Sequence, residues 1–189
     1  MTHSRKFVAV LACCVAASAV LVGHASAGQI FKESFHEEGS VVIENFCGVA
    51  GLTVSDEAVT DGTVRAVPQG PDQLPHFRDQ IRQNVVWTNL ANGETVSSVL
   101  TSNGKDLKVT DNGDGTLTVL VLSTGNVVLY TDGKAIGRNP GQIRFELLID
   151  HGGTPTDPFD DEVIAELGVV KGPTGRNDDF CGAVVPALT

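Results

Sequence analysis

Four two-residue turn signals stand at a constant interval along the chain: Asn92-Gly93, Asn103-Gly104, Asp114-Gly115 and Gly125-Asn126, each eleven residues after the last. Asn-Gly and Asp-Gly supply the positive φ angles of a type I′ turn, and Gly-Asn suits type II′, so each reads as a β-hairpin. Two turn residues and nine strand residues fill the period. This predicts antiparallel strands at about 94–102, 105–113, 116–124 and from 127 onward, with another before Ala91.

A two-residue turn also fixes which side chains share a face, because the flanking residues pair and alternation assigns the rest. One face then carries Val85, Trp87, Val96, Ser98, Leu100, Leu107, Val109, Leu120, Leu122, Val127 and Leu129, and is the expected core. The other face begins polar and becomes apolar from Leu117, with Val119, Val121, Val128 and Tyr130 following. A band of that size on a soluble protein calls for a cover. Asp157-Pro158-Phe159 has the form of a helix start, Phe159, Val163 and Leu167 fall on one stripe, and Gly168 can end the helix. The expectation is a short C-terminal helix lying on that band, with a protein partner as the alternative cover.

Upstream, strands are expected at 41–46, 52–55 and 63–67, with a loop around Pro71 and Pro75. The whole reads as a mainly β fold. An antiparallel meander of about eight strands closes into an up-and-down barrel, which removes its edges; a two-sheet β-sandwich is the alternative.

The N-terminus follows different rules. Arg5 and Lys6 precede an apolar run from Phe7 to Val22, and Ala25-Ser26-Ala27 is a signal-peptidase site, so residues 1–27 read as a secretory signal peptide and 28–189 as one domain. Val10-Leu11-Ala12-Cys13 allows a minor alternative, lipid anchoring through Cys13. Cleavage leaves 162 residues with 11 Lys and Arg against 23 Asp and Glu, a net charge of −12. Such a balance argues against a nucleic-acid partner. No run in the mature region is long and apolar enough for a membrane span. The mature 48 Leu, Ile, Val and Phe suffice for a core.

Export also removes Cys13 and Cys14, leaving Cys47 and Cys181, which in an oxidising compartment are expected to form one disulfide across the domain. Three histidines remain: His36, His76 and His151. His36-Glu37-Glu38 lacks the second histidine of a zinc-protease helix. His151 follows Asp150 at the end of a strand and could act as a base oriented by a carboxylate. Asp111-Asn112-Gly113-Asp114-Gly115 fails the spacing of a calcium loop and is read as a turn. Asp157, Asp160, Asp161 and Glu162 form an acidic cluster that a helix start would explain. No metal site, cofactor or catalytic residue is assigned.

The stretches Asn45 to Val54, Val86 to Gly93, Lys105 to Asn126, Asn139 to Glu162 and Gly175 to Gly182 resemble a group of small secreted actinobacterial proteins of uncharacterised function. The resemblance implies export and carries no site residues. The leading expectation is therefore an extracellular, non-catalytic β domain binding a small apolar ligand or a protein partner. The alternatives are a secreted hydrolase or isomerase using His151 with Asp150, or His36, and a structural envelope protein.

Overall fold

The computed structural model describes residues 28–189; the expected signal peptide and Cys13 lie outside the described residues. Seven antiparallel strands follow one another: β1 (Phe31–Ile43), β2 (Val54–Gln69), β3 (Leu74–Asn89), β4 (Thr95–Asp111), β5 (Thr116–Thr131), β6 (Lys134–Asp150) and β7 (Glu162–Gly175), then one helix, α1 (Phe180–Leu188). They form one sheet in sequence order, with β1 and β7 at its two edges. The meander stands as expected, but the sheet is open and does not close into a barrel.

Its strands are nearly twice the predicted length, because only every second turn signal is a turn. Asn92-Gly93 and Asp114-Gly115 sit between strands, with positive φ at Gly93, Gly113 and Gly115. The β5–β6 connection is Asp132-Gly133, whose φ angles of 49° and 72° are those of a type I′ turn. Asn103-Gly104 and Gly125-Asn126 instead lie inside β4 and β5. Neither glycine there has positive φ; what each provides is the absence of a side chain. The Asp79 carboxylate lies over Gly104, and a Cβ on Gly125 would come 2.9 Å from the Thr101 carbonyl oxygen and 3.3 Å from Ser102 Cβ. Gly125→Ala is expected to cost about 1–3 kcal/mol, as overpacking does, measured as a lower urea midpoint; an unchanged midpoint would show that the neighbouring strand yields freely.

Continuous strands also reassign the faces. Register places Trp87, Val96, Leu129, Val127, Val121, Val119 and Leu117 together on an inner face, and Leu120, Leu122, Val128 and Tyr130 on the outer one. The apolar residues Leu117, Val119 and Val121 are therefore core positions rather than an outer band. A register shift between Asp106 and Lys108 returns Val109 to the inner face opposite Val119.

The inner face holds two cores. At one end Phe46, Leu52, Val54, Val85, Trp87, Val96 and Leu129 pack with Val184 and Leu188 of α1. Trp87 lies 5.3 Å from the Phe180 ring and donates its indole N–H to Asp56 Oδ2 at 2.9 Å. The Asn89 and Asn92 side-chain amides both donate to the Leu188 carbonyl, closing the end of the helix. The expected disulfide is present: Cys47, in the short turn after β1, is bonded to Cys181 in α1. At the other end Leu74 packs on Leu117 and Val119. There the β3–β4 ladder stops at Arg78 and Lys105, and the Leu74 side chain at the start of β3 reaches residues of β5.

The helix expected from Asp157 does not form. Residues 151–161 are a loop and 162–175 are β7. Val163, Ile164, Val169 and Val170 favour a strand, and the long backbone of β6 would otherwise lack a partner on that side. The helix lies further along, on the Trp87 end of the inner face. The expected strands at 52–55 and 63–67 belong to the single strand β2, and that at 41–46 is the end of β1 and the turn after it.

Candidate functional site

The three histidines occupy three different settings. His36 is exposed on β1, with Nδ1 2.7 Å from Asp61 Oδ1 and Nε2 3.1 Å from Glu38 Oε1. The hydrogen bond to Asp61, followed by that to Glu38, raises its pKa above the ordinary value. His76 is buried at the start of β3 with Nδ1 3.2 Å from the Leu74 carbonyl. His151 is buried beyond β6, and its Nδ1 accepts the Gly153 N–H at 3.2 Å. The Asp150 carboxylate accepts the Gly152 N–H at 3.0 Å. Both residues of the proposed acid–base pair thus shape the loop that follows them.

The two acidic segments are used similarly. Asp111 accepts from the Gly113 N–H, and Asp114 accepts from both the backbone and the hydroxyl of Thr116, so the calcium-like run is a hairpin turn. In the β6–β7 loop, Asp160 accepts the Thr154 hydroxyl and Asp157 the Phe159 N–H. Burial and the Asp160 charge push Asp161 up to about 6. Among the described residues no group of three or more His, Cys, Asp or Glu is arranged to hold a metal ion.

Two carboxylates that the sequence does not single out meet on the inner face. Asp79 on β3 pairs with Gly104 and accepts its N–H at 3.0 Å. Asp106, two residues further along β4, accepts the Phe77 N–H at 2.7 Å, where the main-chain ladder has ended. Burial, with Asp79 nearby, pushes Asp106 up to about 7; burial also raises Asp79. Their hydrogen bonds make them a side-chain continuation of the ladder. Only the hairpin register brings them together, so no local motif could have marked them.

The most exposed apolar surface is β7. Phe159, Val163, Ile164, Leu167, Val169 and Val170 are 49–74% exposed. Ile164, Leu167 and Val170 have no partner in the β6–β7 ladder, which is interrupted by repeated register shifts. Bulges of this kind blunt an edge against strand addition. They leave a row of apolar side chains spaced three residues apart along the open side of the sheet. Phe159 also lies 5.4 Å from Phe31 of β1, so the last loop reaches back to the first strand.

Compared with models of known protein families, with characterised proteins and with solved structures, the chain matches none.

Proposed function

We propose that this protein is an exported, non-catalytic β-sheet module that holds a protein partner along β7. The observation that supports this reading is the apolar ridge of Ile164, Leu167 and Val170, flanked by Val163 and Val169, on the open edge of an acidic chain. Exposed apolar patches of this kind mark interaction sites. The bulged backbone disfavours strand pairing, so the partner is held by its side-chain contacts. A partner is favoured over a small apolar ligand because α1 fills the inner face beside Trp87. The export part of the proposal rests on the leader and is consistent with the Cys47–Cys181 disulfide.

The reading is tested with a photoreactive residue placed at Leu167 or, as a control, at Thr110, in cells that produce the protein. Crosslinking at Leu167 is expected to give an adduct of discrete mass, lost when Ile164 and Val170 are both replaced by Asp. Equal labelling at the two sites, or none at Leu167, would defeat it.

A further inference from the structure

Positive charge on the sheet is segregated by face. Every Lys and Arg of β1 to β5 points outward, whereas Glu33, Glu37, Asp56, Asp79 and Asp106 point inward. The outward cations also fall into line. Register pairs Lys32 with Arg65, Arg65 with Arg78 and Arg78 with Lys105; Lys105 then faces Leu122, Leu122 faces Arg144, and Arg144 faces Lys171. Six of the 11 cations after residue 27 therefore form one row crossing all seven strands. With strands about 4.8 Å apart the row is about 29 Å long. Among the described residues none of the six is in an ion pair. Like charges set directly opposite one another destabilise a sheet, and a chain with twice as many acids as bases has ample means to avoid this. Stability does not account for the row.

The next outward row consists of Ser34, Thr63, Gln80, Asn103, Thr124, Gln142 and Thr174, paired in that order. All seven carry a hydroxyl or an amide. Ser34, Thr63, Gln80 and Asn103, together with Asp61 and Arg82, line a concavity of about 480 Å³. Parallel lines of cations and of hydrogen-bonding groups fit an extended molecule carrying both repeated negative charge and hydroxyls. Phe35 of β1, Phe77 and Trp87 of β3 and Phe145 of β6 lie on the inner face, and Tyr130, outward on β5, is eight residues along that strand from Leu122 of the row, so bases would find no stacking platform beside the row, which disfavours single-stranded nucleic acid.

We infer that the outer face binds a linear acidic polysaccharide, with the cation row on its carboxylate or sulfate groups and the Ser/Thr/Asn/Gln row on its hydroxyls. The row ends at Lys171, next to Val170 of the β7 ridge, but its other five cations lie on β1 to β6, so the inference does not depend on a protein partner at that ridge.

Binding of the purified chain to polygalacturonate, dextran sulfate, neutral dextran and a thymidine oligonucleotide tests this. At least one acidic glycan should bind, at least tenfold more tightly than the oligonucleotide, with affinity falling steeply between 50 and 200 mM salt, as phosphate contacts do on DNA; neutral dextran should not bind. Arg78→Glu with Lys105→Glu should weaken binding at least tenfold without lowering the Tm, since one opposed pair of like charges replaces another and Arg65 gains an opposite charge facing it. Lys134→Glu with Arg138→Glu, an equal change of net charge off the row, should weaken it less than twofold. Failure of both acidic glycans to bind, equal losses in the two double variants, or tighter binding of the oligonucleotide would overturn the inference.

Discussion

Replacing Cys47 and Cys181 with Ser should lower stability by about 5 kcal/mol, the value that chain entropy assigns to a closed loop of this length; the two residues are 134 apart in sequence. For a domain of this size that corresponds to a fall in Tm of roughly 10–20 °C. Local structure points the same way. A nine-residue helix is unstable alone, and α1 contributes Val184 and Leu188 to the core around Trp87. The single variants should each lose as much as the double one. Thermal melts followed by Trp87 fluorescence would show it, with the emission shifting red as Phe180 leaves the indole. A drop of only a degree or two would mean that packing alone holds the helix.

The second large effect concerns Asp106. An unfolded aspartate titrates near 4, whereas burial holds the folded carboxyl at about 7. Below pH 4 both states carry the proton and the stability is fully present. Between pH 4 and 7 the folded state retains a proton that the unfolded state has released, so stability falls as pH rises, by about 4 kcal/mol across the window, and levels off above it. Asp106→Asn preserves an acceptor for the Phe77 N–H and has no proton to lose. Urea midpoints of wild type and variant should therefore agree near pH 4 and diverge toward pH 8, where the variant is the more stable. Superimposable profiles would show that Asp106 titrates as an ordinary surface carboxylate. Asp79 is coupled to the same site, so Asp79→Asn should narrow the window rather than remove it.

Much of the fold was legible in the sequence. Two remaining cysteines predicted their own pairing, and alternation around Asn92-Gly93 placed Trp87 and Val96 on one face correctly. The misreadings share a cause. Glycine serves either a positive φ or a missing Cβ, and the one-letter pattern does not distinguish them. Gly93 and Gly115 are the first kind; Gly104 and Gly125, in similar dipeptides, are the second. Taking the latter as turns halved the strands and exchanged Leu117, Val119 and Val121 with Leu120 and Leu122. The segment after Asp157 failed differently: its capping residues are real helix signals, overruled by the unpaired edge of β6. The cation row was illegible in principle. Its members are 13 to 39 residues apart in sequence and align only once six separate hairpin registers are known.

The register shift at Leu107 bears on how such a sheet can change over evolutionary time. Side chains alternate strictly, so one residue added to or lost from the middle of a strand turns every later side chain on it to the opposite face until the next irregularity. Were Leu107 paired in regular alternation after Asp106 instead of bulged, Lys108 would point inward and Val109 outward, at the edge of the second core. With the bulge, Asp106 stays inside while Lys105 and Lys108 both stay outside. Insertions and deletions are thereby confined to the turns and to the few positions where the ladder already slips, and the sixteen-odd residues between two turns are inherited as a block.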